Sequence, residues 1–248
     1  MADMMRNVWI IAKREFFAYF ATPLAGIFLI IFVALTGALA FYVGNFFTRG
    51  QADLAPFFLY HPWLYLILVP AIAMRLWAEE RKTGTIELLM TLPVSVWEVV
   101  LGKFLAAWAF IGVALVLTFP MWITVNVLGN PDNGVVFLSY LGSFLMAGAY
   151  LSVGSCMSAL TKNQVIAFIL AATVCFLLVM SGLDLVLNFF RAWAPEFIVS
   201  AVSALSFLSH FQDITRGIFS LPALVFYLSL IVFALFANKI IIDQKKAA

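Results

Sequence analysis

The sequence has few charged residues. Of its 248 residues only 10% are Asp, Glu, Lys or Arg, against about 25% in an average soluble domain. Hydrophobic residues make up 65% of the chain, which leaves too little polar surface for a soluble domain of any size. The formal net charge of +2 is too small to indicate nucleic-acid binding, so we expect no nucleic-acid partner. The composition predicts a polytopic membrane protein.

Several chemical motifs are also missing. No phosphate-binding loop of the form G-x-x-x-x-G-K-[ST] occurs, so this chain cannot hold ATP in the usual way. Neither H-E-x-x-H nor G-x-S-x-G is present. Cys156 and Cys175 lie in separate apolar runs and are interpreted as packing residues, and His61 and His210 as interfacial polar residues outside the membrane. We expect no catalytic residue, metal site or cofactor in this chain.

The long apolar runs predict membrane-spanning helices. A hydrocarbon core about 30 Å thick needs about 20 helical residues per crossing. The runs do not alternate polar and apolar residues, which argues against a β-barrel. The predicted fold is all-α, a single transmembrane domain over residues 1–248. Its six spans cover about residues 23–44, 57–76, 96–128, 135–160, 165–187 and 221–237.

Residues 1–20 predict an amphipathic helix that lies along the membrane surface. A simple extension of the first span is the alternative. Lys13 and Arg14 interrupt the stretch and no cleavage motif follows, so we expect no cleaved signal peptide. One helical face carries the apolar residues Met5, Val8, Trp9, Ala12, Phe16 and Tyr19.

Residues 188–220 are too polar for a simple span and too apolar for a free loop. Serines at 200, 203, 206 and 209 recur every third residue, and small residues at such spacing let helices approach closely. The pattern predicts an external or re-entrant helical hairpin before the sixth span. Asp184, just before it, is either a functional ionisable residue or the solvated end of span five.

Six spans place both termini and residues 79–95 on the same side of the membrane. All Lys and Arg residues except Arg49, Arg191 and Arg216 then lie on that side. Because positively charged residues concentrate in cytoplasmic loops, we expect this side to be cytoplasmic in a bacterial inner (plasma) membrane.

The segment of residues 79–95 is the main charged cytoplasmic feature. Thr85 is predicted to cap a short helix with Glu87 in its first turn, and Pro93 to end it. Such a helix is too short to be stable alone, so its apolar face, which includes Ile86, must dock against a partner. Lipid headgroups are the alternative surface. Ser95 and Glu98 then form a capping box that begins span three.

The pattern E-E-R-x-x-G-T-x-E-x-L-x-x-x-P from Glu79 to Pro93, followed by Gly102 and Lys103, resembles ABC-2 type transporter permeases. The segments 92–103 and 208–211, with Arg216 and Gly217, are most similar to the branch of that family associated with gliding motility. In these permeases the segment between spans two and three is a coupling helix that inserts into the ATPase subunit.

The resemblance implies an ATP-driven exporter. A separate ABC ATPase subunit would hold ATP and Mg, and the other partners would be a second permease copy or paralogue, an auxiliary membrane or periplasmic subunit, and the lipid bilayer. Gly102 is expected to allow close packing, and Lys103 to extend to the membrane surface. The residues implied in ATPase coupling are Glu79, Glu80, Arg81, Gly84, Thr85, Glu87, Leu88, Leu89 and Pro93.

The resemblance also points to spans one, two and five as walls of a substrate pathway. An aromatic belt at the outer interface is the alternative interpretation of the same aromatic residues. The runner-up functions are a haem- or copper-maturation permease, and a non-transporting scaffold or intramembrane enzyme of a motility, secretion or cofactor-maturation complex. Candidate pathway residues are Phe41, Tyr42, Tyr60, Trp63, Tyr65 and Asp184.

Overall fold

A computed structural model describes residues 2–87, 93–218 and 221–246, and none of these residues forms a β-strand. The elements are α-helices connected by turns and irregular segments, and Leu39–Val43 extends α2 as a π-helical turn. The helices are α1 (Ala2–Phe20), α2 (Pro23–Ala38), α3 (Ala55–Phe58), α4 (His61–Ala73), α5 (Arg75–Thr83), α6 (Val96–Leu117), α7 (Pro120–Leu128), α8 (Asn133–Leu160), α9 (Gln164–Met180), α10 (Asp184–Arg191), α11 (Glu196–Ala204), α12 (Phe207–Thr215) and α13 (Leu221–Lys246).

Five helical stretches are long and apolar enough to cross a membrane by length and composition. They are Ala25–Val43, Ala55–Thr83, Val96–Leu128, Asn133–Leu160 and Leu221–Lys245. Two further pairs, α9 with α10 and α11 with α12, are bent by 70° and 67°, and counting each pair as one span raises the number to seven. The predicted all-α polytopic membrane fold is confirmed, and the count of six spans stays a prediction.

Helix α8 lies at the centre of the bundle and contacts α4, α5, α6, α9, α12 and α13. Its small residues let the neighbouring helices approach closely. A methyl group at Gly154 would lie 2.5 Å from Ala73 Cβ, and one at Gly148 would lie 2.8 Å from the Trp108 ring. Both cysteines are buried and unpaired, Cys156 on α8 and Cys175 on α9, as expected of packing residues.

The second span is interrupted at Met74, four residues after Pro70. Ser158 of α8 repairs the break: its hydroxyl donates to Met74 O at 2.9 Å and accepts from the amides of Trp77 and Ala78 at 3.2 and 3.1 Å. The Ser158 hydroxyl thus supplies hydrogen-bond partners for three backbone groups beside the break.

Helix α1 packs along α6. Gly102 permits the contact, as predicted, because a methyl group there would lie 2.6 Å from Ile11 Cγ2. Ile11 lies against the core, whereas Met5 and Trp9 of the predicted apolar face are 71% and 70% exposed. The chain itself therefore leaves part of that face uncovered, and its contact with the membrane surface stays a prediction.

The region of the predicted fifth span is bent. Helix α9 stops at Met180 and the chain turns before α10, so residues 165–187 do not form one straight helix. The turn lies at Gly182, where a methyl group would overlap the Ser206 hydroxyl. Ser206 Oγ in turn accepts a hydrogen bond from Ser209 N at 3.1 Å and caps α12. Close packing of Gly182 on Ser206 thus accompanies the bend.

Candidate functional site

A buried lysine connects three helices at one end of the bundle. Lys103 Nζ of α6 lies 2.7 Å from Glu80 Oε1 of α5 and 3.4 Å from Glu15 Oε2 of α1. It also lies 5.6 Å from the centre of the Trp77 ring. Only 3% of Lys103 is exposed. The prediction that Lys103 extends to the membrane surface is therefore wrong: two carboxylates hold it inside the bundle.

The two carboxylates are what make a buried lysine tolerable. An ammonium group taken out of water is costly unless it is paired and hydrogen-bonded. Burial alone raises the pKa of the Glu15 carboxyl, but the Lys103 ammonium and the Arg14 guanidinium more than offset it, so its pKa lies below the usual value. Glu15 is thus held as a carboxylate beside Lys103.

Other charged side chains at this end also have partners within the chain. Arg75 Nε donates to Glu79 Oε2 at 2.8 Å, and Arg81 Nη1 donates to Ala159 O, at the end of α8, at 2.7 Å. Lys245 Nζ donates to the same carbonyl at 3.3 Å. We call this region, around Glu15, residues 75–87, Lys103, Ala159 and Lys245, the charged end.

The charged segment between spans two and three begins as a continuation of α5. Gly84 ends α5 with φ of +76°, a left-handed conformation that favours glycine. Residues 85–87 are helical again. Thr85 Oγ1 lies 3.0 Å from Thr83 Oγ1, and so hydrogen-bonds across the turn between the two helical segments.

Ile86 and Glu87 lie on different sides of this segment. Ile86 packs against the core of its own chain, whereas the sequence prediction had it facing a partner. Glu87 is exposed. Leu88 and Leu89 lie outside the described residues, and Pro93 is exposed. Among the described residues of this helical turn, the polar residues Thr85 and Glu87 are the exposed ones.

The start of α6 is fixed by the predicted capping box, which is confirmed. Glu98 N donates to Ser95 Oγ at 3.3 Å, and Ser95 N donates to Glu98 Oε2 at 2.7 Å. Asn7 Nδ2 of α1 donates to Glu98 Oε1 at 3.2 Å. The residues that follow the charged segment are thus also held against α1.

The candidate pathway residues differ in their burial within the chain, and their role stays a prediction. Tyr65 is buried, and its hydroxyl lies 2.7 Å from Ser143 Oγ. Tyr42 is 83% exposed. Asp184 is exposed at the first turn of α10. The remaining three are Phe41 and Tyr60, which are half-buried, and Trp63, which is exposed.

His61 is not the interfacial residue that the sequence predicted. Its side chain is fully buried, and its Nδ1 lies 2.7 Å from Ser143 Oγ. The rings of Phe57 and Phe58 pack on it edge to face. The Ser143 hydroxyl and the aromatic rings surround the imidazole, while its buried Nε2 has no hydrogen-bond partner among the described residues. The sequence signal that was missed is the presence of a polar residue, His61 or Ser143, in each of two apolar runs.

The fold and the charged end together define a helical multi-pass membrane protein with a polar segment exposed between its second and third spans. Residues 9–237 match the family described as ABC-2 family transporter protein. The chain belongs to this family and is a permease component of an ABC transporter, a transmembrane subunit that works with an ABC ATPase and has no ATPase site of its own. No curated protein matches the chain.

Proposed function

We propose that this permease is an exporter subunit and that residues 79–95 transmit the work of a separate ATPase to the spans. ATP and Mg bind the ATPase, and the permease acts with a second copy or a paralogue, with an auxiliary subunit in some assemblies. Both termini and the charged end face the cytoplasm, in a bacterial inner membrane. The branch associated with gliding motility is proposed only as the most similar one.

The observation that carries this proposal is the position of Lys103. Glu80 belongs to the predicted coupling segment, whereas Lys103 and Glu15 belong to α6 and α1. Because Lys103 is buried between the two carboxylates, a displacement of Glu80 takes the nearer of its two counter-ions away from a buried charge unless α6 and α1 move too. The ion pairs therefore favour movement of the three helices as one unit.

The exposed side of the segment supplies the contact for the ATPase. Ile86 rests on the core of the same chain, so docking does not require Ile86 to leave the permease. Glu87 and the residues around Gly84 are exposed. A partner that binds this polar side can then push or pull the segment, and rigid-body tilting of packed helices carries the displacement into the membrane.

The test reverses one exposed charge. Tagged permease is purified from its own membranes, the ATPase that bears a Walker motif is identified by mass spectrometry, and its binding to Glu87→Lys is measured. A lost charge-assisted contact costs about 2–5 kcal/mol, so binding is expected to weaken more than tenfold. ATP hydrolysis stimulated by the permease is expected to fall in parallel.

The matched control is Arg216→Glu, a charge reversal at an exposed residue far from the charged end. It should leave ATPase binding unchanged. Normal insertion of Glu87→Lys with unchanged ATPase binding removes Glu87 from the contact. Recovery of no Walker ATPase with the wild-type permease would instead support the non-transporting scaffold.

A further inference from the structure

A cavity of about 650 Å³ opens among α10, α11 and α12, within the range of about 300–1,000 Å³ typical of small-molecule sites. It lies at the end of the bundle opposite the charged end, because α13 begins beside α12 and ends beside the last turn of α8. We call the region of residues 184–217 the hairpin end. The cavity is lined in part by Arg191, Glu196, His210 and Asp213.

The charges of this cavity do not neutralise one another. Arg191 Nη1 donates to Asn188 Oδ1 at 3.1 Å, a neutral partner one turn away. Within the described residues, neither Glu196 nor Asp213 forms an ion pair or a side-chain hydrogen bond, and Arg191 forms no ion pair. Charges of both signs thus face one cavity without a counter-ion among the described residues, in a chain with only 10% charged residues.

His210 is held at the wall of the cavity. Its Nε2 lies 3.0 Å from Ala204 O, and because a carbonyl only accepts, Nε2 carries the proton. The ring stacks on Phe226 with centroids 4.3 Å apart. The orientation of the imidazole is therefore set by contacts within the chain, and its Nδ1 has no hydrogen-bond partner in the described part of the chain.

The cavity is lined by both polar and apolar residues. Ser200, Ser203 and Ser209 supply hydroxyl donors, and Leu187 and Val199 supply an apolar wall. Several hydroxyl donors beside an arginine suit the oxygens of a phosphate group. Two carboxylates suit an ammonium group. The apolar wall suits the first carbons of an acyl chain.

We propose that this cavity binds a phosphate ester that carries a primary ammonium group, the phosphoethanolamine headgroup of a membrane lipid. Arg191 and the serine hydroxyls bind the phosphate, and Asp213 with Glu196 binds the ammonium. A ligand with both charges neutralises both sets of side chains, which an anion or a cation alone does not. The inference is independent of the coupling proposed above.

The test uses the full chain in detergent micelles and three soluble probes. Dihexanoyl phosphatidylethanolamine carries both charges, dihexanoyl phosphatidylglycerol carries only the negative one, and free phosphoethanolamine lacks acyl chains. Titration calorimetry is expected to show at least tenfold tighter binding of the phosphatidylethanolamine than of the phosphatidylglycerol. Equal affinity for the two lipids would overturn the proposal.

Two substitutions test the recognition of the phosphate and of the ammonium group separately. Arg191→Gln is expected to weaken the binding of both lipids at least fivefold, because both carry the phosphate. Asp213→Asn is expected to weaken the binding of phosphatidylethanolamine at least fivefold and to leave the binding of phosphatidylglycerol unchanged. Glu196→Gln, on another helix, gives the same test if Asp213→Asn does not fold. Arg216→Gln and Asp3→Asn change exposed charges that do not line the cavity and should alter neither affinity.

If Asp213→Asn weakens the binding of both lipids equally, or changes the binding of neither lipid, the carboxylate does not bind the ammonium group. The free headgroup identifies the source of the ligand. Binding of phosphoethanolamine with the same sensitivity to both substitutions supports recognition of the headgroup alone. Binding restricted to the two-chain lipid, again with that sensitivity, supports recognition of the headgroup together with its acyl chains.

Discussion

The charged end and the hairpin end use ionisable residues in opposite ways. At the charged end Lys103 lies between Glu80 and Glu15, and Arg81 binds the last turn of α8. At the hairpin end Arg191 has only a neutral partner, and Asp213 has none within the described residues. Charges that are neutralised inside the chain fix helices relative to one another. Charges that are not neutralised are available to another molecule.

Burial accounts for the difference. Lys103 is 3% exposed, and a charge at that depth needs its counter-ions within the fold. Arg191 and Glu196 are exposed, so water can solvate them in the absence of a ligand. The first arrangement stabilises the fold and the second does not. Substitutions at the two ends should therefore differ in their effect on stability, and the largest effects should be at the charged end.

The largest effect is expected for Lys103→Met. The substitution leaves Glu80 and Glu15 without their shared cation, and breaking a buried ion pair costs about 3–5 kcal/mol. The thermal unfolding midpoint, measured by size-exclusion chromatography after heating, should fall sharply. Adding Glu80→Gln and Glu15→Gln to Lys103→Met removes the two unpaired carboxylate charges and should restore most of the lost thermal stability. Lys82→Met, at an exposed lysine of the same segment, should be close to wild type.

A Lys103→Met protein as stable as wild type would contradict the contrast between the two ends. The ion pairs of the charged end would then not contribute to the stability of the fold. Failure of the triple variant to recover stability would mean that the lysine contributes through packing, for example through its position over the Trp77 ring.

A smaller effect is expected where α1 packs on α6. Gly102→Ala places a methyl group 2.6 Å from Ile11 Cγ2 and 3.2 Å from Val8 O, and overpacking of this kind costs about 1–3 kcal/mol. Because Glu15 reaches Lys103 from α1, displacement of α1 should also weaken that ion pair. Thermal unfolding of the purified chain measures the loss.

The control for this prediction is Gly26→Ala, since a methyl group at Gly26 has nothing within 4 Å. It should leave the unfolding midpoint unchanged or raise it slightly. Ile11→Ala combined with Gly102→Ala should be less destabilised than the sum of the two single changes, because the first substitution makes room for the second. Additive effects would argue against a direct contact.

A still smaller effect is expected from the titration of Glu15. The pKa of its carboxyl is lower in the folded chain than usual, so its ion pair stabilises the fold fully above the unfolded value of about 4.3. That contribution is lost as the pH falls through the folded pKa. Glu15→Gln should lower the free energy of unfolding by about 1 kcal/mol at pH 7. The difference from wild type should vanish in strongly acidic buffer, and a difference independent of pH would contradict the assignment.

The sequence predicted the helical spans well because each rests on local information. Apolar runs of sufficient length, the Ser95 and Glu98 capping box, and Gly102 as a close-packing residue were all readable within one segment. The positions of most described spans follow from length and hydrophobicity alone. Local pattern was also enough to identify the segment from Glu79 to Pro93 by its resemblance to the family.

The partners within the candidate site could not be predicted in the same way. His61 and Ser143 are 82 residues apart in the chain, and a single sequence contains no signal that pairs them. Lys103 looked like a residue that reaches the membrane surface because its two carboxylates lie on other helices. The end of α9 at Met180 was missed because it depends on how Gly182 packs against Ser206.

The smallest effect on stability is expected at the hairpin end, for Asp213→Asn. Its carboxylate has no ion pair or side-chain hydrogen bond in the described part of the chain, so no favourable contact is lost when the charge is removed. Surface substitutions away from such contacts change stability by less than about 0.5 kcal/mol. The unfolding midpoint in lipid-free detergent should therefore match wild type, while phosphatidylethanolamine should raise the midpoint of wild type more than that of the variant. A large loss of stability without lipid would show that Asp213 supports the hairpin itself, and the contrast between the two ends would then not hold.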